Sequence, residues 1–222
     1  MFRNSLIASA FVAFSFNLTA HAQIVADGGF ELGSPSPVWD ESSTNFGSPI
    51  CNTMQCGTFF GKPFEGDWWA WFGGSPVLEI GMLSQEVTIA TGTATLIFQL
   101  DITQANGNGT DFLTVKIDGV EVFTVLESEM NAYHPWTEVA VDISSFADGG
   151  THVLSFESTA QGAGGFNFTN FYVDAVEISV EGGPPIPTTT TWGLIVMTLL
   201  SVGCGAIMFG RRHAEEMGRE TC

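Results

Sequence analysis

Positive charge is scarce in this chain. Its 222 residues carry six Lys and Arg against twenty-four Asp and Glu, a formal net charge of −18. Between Gln23 and Pro187 the imbalance is sharper, with Lys62 and Lys116 facing twenty-one acidic residues. Such a surface repels nucleic acid, anionic lipid and acidic polysaccharide, and it suits neutral sugars or cations. Cysteine is almost as rare. Of the four, only Cys51 and Cys56 lie in this central body, and no second ligand pair accompanies them for a zinc site. In an oxidising compartment a Cys-x4-Cys pair closes a small disulfide loop. His134 and His152 are the only histidines of the body. Neither joins a Ser-His-Asp order, and the body has no HExxH motif and no Lys-bearing phosphate loop. The body therefore reads as non-catalytic. It also lacks any stretch with the 3.6-residue apolar period of a long helix.

What is present begins with two apolar ends. Residues 1–22 read as a signal peptide: Arg3 is the positive n-region, Leu6–Leu18 the apolar h-region, and Ala20-His21-Ala22 the small-x-small cleavage site. The second run, 192–209, holds no charge from Trp192 to Phe209 and is just long enough to cross a bilayer once as a helix. Trp192 marks its outer boundary, and Arg211 and Arg212 hold its inner end in the cytoplasm, so the body faces outward. Residues 181–191 form a Gly/Pro/Thr linker, and 210–222 a tail with a basic start.

Within the linker, Ile186-Pro187-Thr188 is followed by Trp192-Gly193, the apolar helix and the Arg211-Arg212 pair. This order resembles the IPTL-CTERM sorting signal of Gram-negative bacteria. Thr189-Thr190-Thr191 stand where that signal usually has Leu-Ser-Glu, and the tail after the arginines is longer than usual. The resemblance implies processing by exosortase, a membrane-embedded enzyme, after export across the inner membrane. The product would be anchored, then displayed at the cell surface or in the extracellular matrix.

The body, 23–180, is written in strands. Ala94, Leu96, Phe98, Leu100 and Ile102 alternate with polar residues, as do Leu113, Val115 and Ile117. Asp118-Gly119 then leads into Val120–Leu126, a hairpin signal. Val139–Ile143, a strand with Leu154 and Phe156, and Tyr172–Val180 follow. Many short strands between Gly-rich turns predict an all-β sandwich or barrel. On the Tyr172–Val180 strand, simple alternation places Asp174 with Tyr172, Val176 and Ile178, facing inward, where a carboxylate needs partners. In Trp68-Trp69-Ala70-Trp71-Phe72, alternation turns Trp69 and Trp71 one way and Trp68 and Phe72 the other. One set would be core and the other a platform on which sugar rings could stack; core is the commoner role for large aromatics. Trp39 and Trp136 are weaker candidates, and Asn45, Asp67 and Gln85 could bond hydroxyls.

Asp27-Gly28-Gly29-Phe30-Glu31, Ser84-Gln85-Glu86-Val87 ahead of a strand, Val141-Asp142-Ile143-Ser144 and Phe171-Tyr172-Val173-Asp174 together resemble the galactose-binding-like jelly roll, a β-sandwich shared by carbohydrate-binding modules. The resemblance implies a structural Ca2+ joining the first and last strands, with Glu31 and Asp174 as side-chain ligands. It also implies polysaccharide as partner. The function expected is a non-catalytic surface protein associated with envelope or extracellular polysaccharide. The alternatives are a module that grips a neutral glycan through Trp68, Trp69 and Trp71, and a glycan-active enzyme.

Overall fold

The computed structural model describes residues 24–182. The signal peptide, the sorting motif from Ile186 to Gly193, the apolar run and the Arg211-Arg212 tail lie outside the described residues. Among those described, no helix is long and apolar enough to cross a membrane.

Ten strands build the body: β1 (Asp40–Ser43), β2 (Ile50–Asn52), β3 (Trp68–Gly73), β4 (Glu79–Thr88), β5 (Thr93–Gln104), β6 (Phe112–Ile117), β7 (Val120–Leu126), β8 (Thr137–Asp142), β9 (Thr151–Ala160) and β10 (Asn170–Glu181). A single helical turn, α1 (Thr53–Cys56), follows β2. The strands form two five-stranded antiparallel sheets, ordered β1-β4-β9-β6-β7 and β2-β3-β10-β5-β8. Strands β3 to β10 follow the wiring of a jelly roll, and β1 and β2 add one edge strand to each sheet.

Alternation explains the core. The even residues Ala94 to Ile102 of β5 are fully buried between the sheets, against Leu113, Val115, Leu154 and Phe156 of the other sheet. Each such Leu, Ile or Phe contributes about 1.5–3 kcal/mol by leaving water. The β6–β7 hairpin turns at Asp118 (φ 51°) and Gly119 (φ 76°). Positive φ at both central residues is the type I′ geometry that matches strand twist.

Strand β4 follows the opposite rule on its first turn of pleat. Ile80 and Met82 face solvent, while Glu79 and Gln85 are buried. Glu79 is satisfied there by the Ser43 hydroxyl (2.5 Å) and the amides of Thr44 (3.1 Å) and Asn45 (2.9 Å). Gln85 exchanges two hydrogen bonds with the Ala26 backbone, at 2.8 and 2.9 Å. Ser84–Val87, expected ahead of a strand, thus lies inside one.

Strand β10 breaks its own alternation. Its pairing with β5 slips between Asp174 and Glu177, where Ala175 takes a positive φ of 49°. This bulge adds one residue to the pleat. Phe171, Val173, Val176 and Ile178 all enter the main core, whereas Tyr172 belongs to a separate cluster on the sheet's outer side. The expectation that Asp174 shares a face with Val176 and Ile178 is therefore corrected.

Candidate binding face on the second sheet

The outer side of the β2-β3-β10-β5-β8 sheet is not a bare polar surface. Trp69 and Tyr172 are fully buried on it, with Cys51, Cys56, Trp71 and Trp136 packed around them. The rings of Trp69 and Trp71 lie nearly parallel, 6.5 Å apart, and Tyr172 meets the Trp71 ring edge-on at 5.2 Å. Segment 57–67, which has no strand or helix, covers this cluster. Its Phe60 packs on Trp71 and Phe168, and its Phe64 packs on Trp136. Gly61 lies so close to the Tyr172 ring that a Cβ there would fall 2.2 Å from it.

Asp174 fastens this covering segment. Its Oδ2 accepts the Phe64 amide (2.9 Å) and the Glu65 amide (3.2 Å), and its Oδ1 accepts the Ala175 amide (2.7 Å). Burial pushes its pKa up to about 7, against these amide bonds, which favour the charged form. Glu31, on the exposed side, holds the same segment, its Oε1 accepting the amides of Asp67 (2.9 Å) and Trp68 (3.1 Å). The two carboxylates expected to share a calcium ion are thus committed to backbone amides. Among the described residues no three His, Cys, Asp or Glu side chains converge as a metal cluster.

The three tryptophans separate. Trp68 turns to the core side, where a Cβ on Gly33 would stand 2.8 Å from its ring. Trp69 is 0 % exposed, so it presents no ring face to a ligand. Both are corrected as exposed platforms: pleat parity sends Trp68 inward, and Tyr172, Trp71 and the Cys51–Cys56 pair enclose Trp69. Trp71 is half-buried, as is Trp68, and it borders open space on the sheet's outer side. Its indole N–H donates to Asn170 Oδ1 at 2.9 Å, which fixes the ring. It lines a cavity of about 430 Å³ with Phe46, Ile50, Gln55, Ser34 and Ser48 among the other walls. The Cys51–Cys56 disulfide closes one side of this cavity. The Ser34 and Ser48 hydroxyls donate to the two oxygens of Glu41, at 2.9 and 2.6 Å, and are so held in place.

The other candidates serve the fold. Asn45 spends its side-chain amide on Leu78 O and Glu79. Trp39 is buried and donates to Asp27 O at 3.0 Å. Trp136 donates to Lys62 O at 3.3 Å, on the covering segment. Asp67 joins this region through its backbone amide. His134 Nδ1 meets the buried Asp101 at 2.7 Å, and burial raises the Asp101 pKa while the imidazole partly offsets this. That pair ties the turn before β8 to β5. His152 bridges Asp118 (2.8 Å) and Asp148 (3.2 Å) at the far end of the sandwich. Sequence reasoning missed the covering phenylalanines and the Asn170 bond to Trp71. The run Phe59-Phe60 between glycines was the one available signal.

These features define an all-β sandwich with an aromatic cavity on one sheet. No protein-family model matches the chain, and no curated protein is recognisably similar in sequence. Several solved structures are similar to it in part. One is TmCBM61 in complex with β-1,4-galactotriose, at 16 % identity over 72 % of this chain and 100 % of that one, with a TM-score of 0.49. A second is the K3 adhesin domain of Lys-gingipain from Porphyromonas gingivalis, at 15 % identity over 71 % and 99 %, TM-score 0.44. A third is a Stig cyclase from Fischerella sp., at 15 % identity over 73 % and 98 %, TM-score 0.43. A sugar complex, an adhesin and a cyclase are three different things on one architecture, and the likeness assigns this chain none of them.

Proposed function

We propose that the body is a non-catalytic domain that binds a neutral glycan in the Trp71 cavity and is displayed outside the cell by the C-terminal sorting tail. The observation that carries the binding reading is the cavity itself. It joins an indole locked by Asn170 to apolar walls at Phe46 and Ile50 and to the fixed hydroxyls of Ser34 and Ser48. Sugar rings have apolar C–H faces and polar rims, and such a mixture of one aromatic face with a few placed polar groups recognises both. The scarcity of positive charge favours a neutral glycan over an acidic one.

The test is a printed array of neutral oligosaccharides read with the labelled full chain. Retention of at least one glycan, lost in Trp71→Ala with the melting temperature kept, supports the reading. Binding that survives Trp71→Ala refutes the cavity as the site. The sorting proposal is tested separately, by mass spectrometry of the protein from cells with and without their exosortase. A C-terminus that is trimmed after the Pro-Thr region only when the enzyme is present supports it; an intact C-terminus in both strains leaves a single-pass membrane protein instead.

A further inference from the structure

Behind Trp71, four polar side chains end without partners. The buried Trp69 Nε1, Asn170 Nδ2, Tyr172 hydroxyl and Thr103 hydroxyl have no hydrogen-bond partner. Thr103 is close enough to the Tyr172 phenol to affect its ionisation, yet their geometry falls short of a hydrogen bond. Trp69, Asn170 and Tyr172 are each 0 % exposed. Leaving such a group buried and unpaired costs about 1–3 kcal/mol. Four on one face is a large burden: among the described residues the Ser158 hydroxyl on β9 is the one other buried side-chain group without a partner, while Glu79, Gln85 and Asp174 are well satisfied.

The four lie on three neighbouring strands. Tyr172 pairs with Trp71 on β3 and with Asp101 on β5, and Asn170 pairs with Gly73 and Gln104. The Tyr172 ring lies 5.8 Å from that of Trp69 and 5.2 Å from that of Trp71, whose indole holds Asn170, so the unpaired groups border one aromatic patch. Only Tyr172 and Thr103 can also accept; Trp69 N–H and the Asn170 amide nitrogen are donors alone. The cluster is therefore built for oxygen acceptors. Buried Asp101 and Asp174 on the same side of the sheet disfavour an anion. What separates the cluster from solvent is segment 57–67, held by the Asp174 and Glu31 clamps, by the Trp136 bond to Lys62 O, and by the Phe60 and Phe64 rings.

We infer that segment 57–67 is a lid over a second, deeper subsite, in which Trp69, Thr103, Asn170 and Tyr172 receive the terminal hydroxylated ring of a neutral glycan that enters past Trp71. This inference rests on the glycan-binding reading and extends it. The lid lifts, and the sugar oxygens take the four unused donors.

The subsite has a signature that a structural cluster lacks. Removing an unpaired buried hydroxyl leaves stability unchanged or raises it, whereas removing a ligand contact weakens binding. Tyr172→Phe and Thr103→Val, read on the same neutral-oligosaccharide array with melting temperatures alongside, are the test. Each should bind roughly threefold to tenfold more weakly, the equivalent of one net hydrogen bond, with the melting temperature held or raised. If both bind as the native chain does while Trp71→Ala loses binding, the deeper subsite is refuted and the cavity reading stands. A fall in melting temperature in Tyr172→Phe shows that the hydroxyl serves the fold, and it also overturns the inference. A native chain that binds no glycan on the array overturns both readings together.

Discussion

Replacing Asp174 with Asn isolates a buried carboxylate that works against its own burial. The side chain is 0 % exposed, and burial raises its pKa from 3.8 to about 7. Because the folded value lies above the unfolded one, the folded protein keeps this proton to higher pH. Its contribution to stability is therefore present at low pH and declines as pH rises from about 4 to about 7. One proton corresponds to about 1.4 kcal/mol per pH unit, or roughly 4 kcal/mol across that window. Asn keeps an acceptor for the Phe64 and Glu65 amides but has no proton to lose. Urea denaturation of both proteins from about pH 4 to pH 8 should show the native-minus-variant stability falling with pH and flattening above about 7. Carboxylates elsewhere cancel in that difference. EDTA should leave the curve unchanged. A calcium ligand behaves in the opposite sense, since the ion needs the ionised carboxylate: the difference would rise with pH and collapse on chelation. A rising, EDTA-sensitive curve refutes this expectation and supports the calcium ion that the jelly-roll resemblance implies.

Three further outcomes are expected. Trp69→Ala should cost about 3–5 kcal/mol of stability, as for a buried aromatic, whereas Trp71→Ala should cost clearly less; equal losses in urea denaturation would show that Trp71 is core. His152 should titrate above 6.5, raised by its hydrogen bond to Asp118 and secondarily by Asp148. Its stabilising effect is then full below about 6.5 and lost as pH rises through its folded pKa. NMR of its ring protons should show this pKa drop in Asp118→Asn, and an unmoved pKa would discard the pairing. Cys56→Ser opens a loop spanning a sequence separation of 5, which should cost about 2 kcal/mol by loop entropy. A melting temperature unchanged by the substitution would refute that.

The outer-sheet site was half legible. Parity along Trp68–Phe72 correctly divided the tryptophans between two faces, because a strand's side-chain period is fixed at two. It could not say which face would be open. Trp69 is buried against Tyr172, from a strand a hundred residues away, and the Cys51–Cys56 pair, so nothing local announced it. Asp174 shows the limit from the other side. Alternation was the right rule, but a bulge at Ala175 shifted it by one residue, and bulges arise from the pairing of distant strands. Strand β4 went unread because its apolar Ile80 and Met82 point outward while Glu79 and Gln85 are buried, an inversion that only hydrogen-bond partners on β1, the turn after it and Ala26 make tolerable.

The sequence by itself determined the architecture: alternating β5, β6 and β8, the Asp118-Gly119 turn and the lack of any long amphipathic helix leave little but a sandwich. It also determined the acidity of the body, and with it the repulsion that nucleic acid or an acidic partner would meet, since charge is a sum over residues and needs no fold. The tertiary structure alone decided which tryptophan lines the cavity, which carboxylates clamp amides, and that polar groups on three neighbouring strands are buried without partners. Those are relations between residues as far apart as Trp69 and Tyr172. Burial and hydrogen bonding at such distances are set by sheet register and by the loops that cover it, and no local period encodes either.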